Sequence, residues 1–470
     1  MKTNYLISTN RTARIAGTVS LTLWILIAGI TLVSCDDFVQ VDPPNSQLTG
    51  DVVFDDKTTA NAVIVGIYGK MRDSGLMTGQ IGGISCSLGL YADELDFYQD
   101  IGANNFYTNS LYAEATPVRD LWNSSYNIIY AANAVAEGIP KSALASGDKD
   151  HFLGEALFIR ALMHFYLVNL YGDIPYVTGT DYLANSRVSK LPTAEVYQSI
   201  INDLNQAHEL LPQEDFSWER VRPLKATATA LLARVYLYNG RWGEAADSAS
   251  AIINDPSYVL ENDPDMAFLK ENPGTIWQFS PAAEGNNTNE GNLFIFNQGP
   301  PPVVALKESF VNAFETGDLR RQHWIREITD GSSVWYHPFK YRMRAVVGSS
   351  TEYSIVLRLG EQYLIRAEAR ARQGDLIGAK EDLDIIRARA GLAGTTAISQ
   401  QDVLTAILKE RQWELFTEFG HRFMDLRRFG MLDAVLSLTK PGWDTNDRLW
   451  PLPGQELLAN PNLNPQNPGY

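Results

Sequence analysis

From Val356 to Leu392 apolar residues recur at steps of three and four. Val356, Leu359, Tyr363, Leu364, Ala367 and Ala371 fall on one face of a helix. Gly374 stands where a helix commonly ends in a left-handed residue, and Asp375 can cap the helix after it. That second helix puts Ala379, Leu383, Ile386 and Ala390 on its apolar side and turns Lys380, Glu381, Asp382 and Asp384 outward, until Gly391 closes it. So short a turn makes the two helices antiparallel, and their alanines allow close backbone approach.

The pattern occurs earlier with the same register. Setting Gly240 on Gly374 aligns Ala230 with Leu364, Ala233 with Ala367, Leu237 with Ala371, Ala245 with Ala379, Ala249 with Leu383 and Ile252 with Ile386. A helical hairpin that recurs with its apolar face intact predicts a tetratricopeptide-like solenoid, in which each unit buries its face against its neighbours. His151–Tyr171, ended by Gly172, and a helix from Thr193 to Leu211 supply a further pair. Further helices are expected over Thr58–Met71, Pro117–Gly138 and Gln401–Phe419. From Pro256 to about Tyr353, Pro, Gly, Asn and Trp become dense, with short strand-like runs at Thr275–Phe279 and Leu293–Phe296. The fold expected is mainly α, a helical-repeat solenoid carrying a loop-rich, partly β face, and long loops on a stiff scaffold are where binding concentrates.

The first residues change the picture. Lys2, Arg11 and Arg14 precede an apolar run from Ile15 to Val33, followed by Leu32-Val33-Ser34-Cys35, which is similar to a bacterial lipobox. The expected layout is a signal peptide over 1–34, a lipidated tether over 35–51 starting at Cys35, and one domain over 52–470. Within it lie N-terminal helices and loops (52–150), helical repeats (151–255), an irregular insertion (256–353), further repeats (354–430) and a tail (431–470). Removing the three basic residues of the leader from the net charge of −16 leaves −19, which repels polyphosphate and argues against a nucleic-acid partner. With Cys35 acylated, Cys86 is alone and no internal disulfide forms; its small apolar surroundings predict a buried, inert thiol.

Several motifs together resemble the SusD/RagB family of outer-membrane nutrient-binding lipoproteins. They are Cys35-Asp36-Asp37-Phe38 with Asp42-Pro43-Pro44, Phe158-Ile159-Arg160-Ala161 leading to Tyr171-Gly172-Asp173-Ile174-Pro175, and Arg358-Leu359-Gly360-Glu361 through Ala367-Glu368-Ala369. Arg387–Leu392, Glu410-Arg411, Glu414, the run Gly420–Arg428, and Trp450-Pro451-Leu452-Pro453 with the ending Gln466–Tyr470 complete the set. The resemblance implies a surface-exposed, lipid-anchored protein that captures a glycan, or in some members a peptide, and lids a SusC-like TonB-dependent transporter. A structural lid with no ligand site of its own is the alternative.

Sugar binding needs flat apolar faces for C–H groups and amides or carboxylates for hydroxyls. Asp93, Asp96, Phe97, Tyr98, Asn104, Asn105, Phe106 and Tyr107 supply one candidate stretch. Asn286, Asn287, Asn289, Asn292, Phe294 and Phe296, with Trp335 and Tyr336, supply another; Trp277 reads as core. Asp93, Glu94 and Asp96 are candidate ligands for a structural calcium ion, although they lack EF-hand spacing, and no other cofactor is expected. No G-x-S-x-G, H-E-x-x-H or Walker loop is present, so the chain reads as a non-enzyme. Glu418 and His421 have the E-x-x-H spacing of di-iron bundles, but a second such pair is missing. The acids and arginines of 410–428 read instead as a charge network that pins the last helix to the solenoid.

Overall fold

The computed structural model describes residues 53–99, 104–214, 219–344 and 346–470. The leader, Cys35 and the tether therefore lie outside the described residues. Among the described residues helix takes 52% and strand 7%, which makes the fold mainly α, in agreement with the periodicity.

Among the described residues, eleven helices carry the frame: α1 (Lys57–Asp73), α2 (Ile84–Tyr91), α3 (Thr116–Gly138), α4 (Ser146–Tyr171), α5 (Thr193–Leu210), α6 (Lys225–Tyr238), α7 (Trp242–Ile253), α8 (Leu359–Gln373), α9 (Leu376–Arg389), α10 (Gln400–Glu414) and α11 (His421–Arg428). Consecutive helices from α3 to α10 pack on one another, and α7 meets α8 although about a hundred residues intervene. That contact stacks the two hairpins recognised in the sequence. Gly240 and Gly374 both take left-handed backbone, at φ 71° and 89°, as the tight turns require. Leu364, Ala367, Ala371, Ala379, Leu383 and Ile386 are fully buried, and so are their counterparts from Ala230 to Ala249.

α4 is the centre of the frame: every residue from Gly154 to Tyr171 is buried. Its polar residues are paired within the protein. Glu155 accepts hydrogen bonds from Tyr68 (2.6 Å) and Arg222 (2.5 and 2.8 Å), and Arg160 donates to both oxygens of Asp203 at 2.6 and 2.7 Å. The C-terminal segment folds back on the end of α4. The Trp450 amide donates to the Leu170 carbonyl (2.8 Å), and Asn467 Nδ2 donates to the Tyr171 and Trp450 carbonyls, both at 2.7 Å.

Some local expectations are corrected. Asp382 is buried, not outward, because Arg366 grips it bidentately at 2.9 and 2.6 Å. Val356 belongs to a strand rather than to α8: β6 (Ser354–Arg358) pairs antiparallel with β2 (Thr275–Phe279), and every residue of both is buried. Leu293–Phe296 is not a strand, since helix Asn289–Phe294, capped by the Thr288 side chain, takes its first two residues and Ile295 and Phe296 are irregular. The helix expected to reach Phe419 stops at Glu414, and Thr417, Phe419 and Gly420 then take positive φ. Lys340 explains the stop, because its Nζ donates to the Glu414 and Phe416 carbonyls, each at 2.9 Å, and to Glu418 at 2.5 Å.

The remaining strands, β1 (Leu95–Phe97), β3 (Val304–Leu306), β4 (Ile325–Thr329) and β5 (Val334–Pro338), form one sheet in the order β1-β3-β5-β4. Leu95 faces Leu306, which faces Tyr336, so the sheet joins the first candidate stretch to Trp335.

Candidate functional site

The asparagine-rich stretch lines a cavity of about 300 Å³ between the end of α1 and the insertion. Asn286, Asn287, Asn289 and Asn292 enter it from one side, Arg72 and Asp73 from another, and Tyr353 and Arg344 close it. Asn287 is a structural member, since its Oδ1 accepts from the amides of Thr351 (3.1 Å) and Glu352 (3.2 Å). Asn289 Nδ2 donates to the Arg72 carbonyl at 3.0 Å and so ties the insertion to α1. The Arg72 guanidinium is held by Asp73, at 2.7 Å through Nε, and by the Ser280 carbonyl at 3.2 Å. Asn292 is exposed at the rim, with donors and acceptors to offer a ligand.

Glu290 lies at the floor, a residue that sequence reasoning misses. It is 4% exposed; Oε1 accepts from the Ser354 hydroxyl at 2.5 Å, while Oε2 has no partner among the described residues. Burial pushes its carboxyl above the usual range. Gly79 makes this possible: a Cβ there would sit 2.2 Å from the Glu290 carboxyl carbon. The glycine-rich stretch near residue 80 thus serves close packing. The signal for Glu290 lies in that pairing, and nothing local in sequence points to it.

The first candidate stretch forms a separate cluster at the edge of the four-stranded sheet. Asp96 accepts from Tyr107 Oη at 3.1 Å and pairs with Lys307 at 3.3 Å. Side chains alternate along a strand, so Asp96, Ala305 and Trp335 project from the face opposite to Leu95, Leu306 and Tyr336. Tyr98 is 39% exposed, Phe97 is half-buried, and the Lys440 ammonium lies 4.3 Å from the Tyr107 ring centre. Burial and the neighbouring Lys307 push Lys440 down to about 7.

Other candidates have internal partners. Asp93 is held by Arg422 at 2.8 and 2.7 Å. Asn104 Oδ1 accepts from the Phe106 amide (3.0 Å), and Asn105 Nδ2 donates to the Ser110 carbonyl (3.0 Å), so both shape their own loop. Phe296 is 2% exposed and packs on His337 with ring centres 5.0 Å apart. Trp335 is half-buried over Gly299, where a Cβ would stand 1.9 Å from its ring. Asp93, Glu94 and Asp96 face different partners, and among the described residues no group of three or more His, Cys, Asp or Glu is arranged to hold a metal ion.

Comparison with known proteins places the chain. Residues 37–237 match the family described as "Starch-binding associating with outer membrane", and residues 319–470 match the SusD family. The chain is 30% identical to SusD-like protein P2 of Formosa agariphila over 94% of its own length and 98% of the relative's. A laminarin-binding SusD-like protein of known structure is 25% identical, with a TM-score of 0.74 over 88% of this chain and 99% of that one. Surface glycan-binding protein A from Bacteroides thetaiotaomicron shares the fold at 18% identity, with a TM-score of 0.74 over 89% of this chain and 100% of that one. Helical hairpins, sheet and C-terminal segment thus belong to one architecture, and the chain is a member of the SusD family.

Proposed function

We propose that the chain is a cell-surface lipoprotein, anchored through Cys35, that captures an oligo- or polysaccharide and passes it unaltered to a SusC-like TonB-dependent transporter. The observation that carries this reading is the 300 Å³ cavity lined by four asparagines and by the buried Glu290, with Asn287 and Asn289 bracing its wall and Asn286 and Asn292 facing a ligand. Amides present donors and acceptors in equal number, as sugar hydroxyls do, and the cavity is of ligand-binding size. The half-buried Tyr107, bonded to Asp96, and the half-buried Trp335, which projects from the same face of the sheet as Asp96, form a second element of the loop-rich side. The laminarin-binding relative supports saccharide as the ligand class. Buried carboxylates alone do not make a hydrolase, which needs two at a set separation around the scissile bond. The Glu290 carboxyl is instead held by the Ser354 hydroxyl.

Calorimetric titration of the full chain in detergent against neutral oligosaccharides and against peptides tests the reading. Saccharide binding that weakens about tenfold in an Asn286→Ala/Asn292→Ala variant is expected, corresponding to about 1.4 kcal/mol. Binding of peptides alone would move the ligand class, and binding indifferent to both asparagines would move the site.

A further inference from the structure

On the solenoid side of the molecule lies a groove of about 740 Å³, more than twice the volume of the cavity just described. α3, the segment after α4 and the C-terminal segment near Glu456 form its walls. We infer that this groove is a second saccharide site, for a neutral oligosaccharide rather than a charged one.

Three observations carry the inference. First, the groove holds exposed aromatic rings: Tyr130 is 51% and Tyr182 78% exposed. Exposed phenol rings suit the C–H faces of pyranoses. Second, amides are interleaved with them. Asn123, Asn127 and Tyr130 follow one another at steps of four and three along α3, so they share one face of that helix, and Asn185 joins them from across the groove. Asn123 is exposed, Asn127 takes one bond from Lys70 at 3.1 Å through Oδ1, and Asn185 donates to the Gly179 carbonyl at 2.9 Å, leaving its oxygen to accept. Third, among the described residues the lining contains no lysine, arginine or histidine and a single acid, Glu456. A site for sulfated or uronate sugars needs cations to offset the buried charge, so the ligand class is neutral. A helix-binding groove would be lined with a continuous aliphatic stripe; here the aliphatic residues Val177, Val188, Ala459 and Leu463 come from two separate segments and are outnumbered by rings and amides.

The assignment borrows only its probe from the saccharide reading of the asparagine cavity; the two sites share no lining residue. The test is calorimetry on the full chain in detergent, with laminarihexaose and maltohexaose as neutral probes and a sulfated hexasaccharide as the charged control. Three forms are compared: wild type, Tyr130→Ala/Tyr182→Ala, and Asn286→Ala/Asn292→Ala. Both tyrosines are exposed enough for truncation to leave folding intact, which circular dichroism checks. Two classes of neutral-sugar site are expected, one weakened about tenfold by the tyrosine pair alone and the other by the asparagine pair alone. A single class lost only with the asparagines would overturn the second site and leave the first standing. The reverse outcome would overturn the reading of the cavity and keep the groove. Binding of the sulfated probe by the groove would overturn its neutrality. Sugar binding untouched by the tyrosine pair, with loss of a co-purifying outer-membrane protein, would make the groove a protein-docking surface and also overturn the inference.

Discussion

Arg234 on α6 grips Glu361 on α8 through two hydrogen bonds of 2.7 and 2.6 Å, with each side chain only 1% exposed. The same guanidinium donates to Tyr166 Oη on α4 (3.1 Å) and to the Val356 carbonyl in β6 (3.2 Å). One buried ion pair therefore joins three repeat units and closes the long insertion at its base. Removing one partner leaves an uncompensated buried charge, so Glu361→Ala should destabilise the protein by about 3–5 kcal/mol. Arg234→Met/Glu361→Leu, which removes both charges, should lose much less. Urea unfolding of the three forms checks this; equal losses in the single and double variants would contradict it.

Gly79 and Gly66 should respond oppositely to alanine. At Gly79 the new Cβ would stand 2.2–2.7 Å from the atoms of the Glu290 carboxyl, so stability should fall by about 1–3 kcal/mol and ligand affinity with it. At Gly66, inside α1, an added Cβ meets nothing within 4 Å, and the change should stabilise by about 0.5–1 kcal/mol. Thermal melts and binding titrations of both variants decide the matter.

Glu94 sets a pH dependence. Burial raises its carboxyl to about 8, with Asp93 adding to the effect, and Arg422 opposes it. The folded protein keeps this proton where the unfolded chain has lost it, so stability due to this group falls as pH rises from about 4.5 to about 8. Glu94→Gln removes that slope. The difference in unfolding free energy between variant and wild type should therefore grow in favour of the variant across this window. A difference independent of pH would contradict the assignment.

Cys86 is fully buried in α2, and burial pushes its thiol up to about 12. It should resist alkylation in the native protein and react promptly in denaturant, as mass spectrometry after a timed iodoacetamide pulse would show.

The repeats are legible in the sequence because each turn glycine and each apolar face obeys local rules, and Gly240 and Gly374 carry the register. Periodicity misplaces Asp382 because its partner, Arg366, sits on the other helix of the hairpin, outside the reach of a local pattern. The break after Glu414 escapes detection for a similar reason: the donor that ends the helix, Lys340, is 74 residues away. The asparagine stretch is legible as a candidate, but its floor is not, since Glu290 depends on Gly79 and Ser354. The solenoid-side groove is assembled from Tyr130, Tyr182 and Glu456, whose proximity only the packed fold supplies.

Capture at the loop-rich face, as proposed, leaves the sugar chemically unchanged. The most direct measurement incubates the full chain with a bound neutral oligosaccharide for many hours and tracks both binding and products by mass spectrometry. The expected result is a saturable complex from which the oligosaccharide is recovered at its original length, with binding weakened by loss of Asn286 and Asn292. Shortened sugar accumulating with time, and disappearing when Glu290 is replaced by Gln, would contradict it.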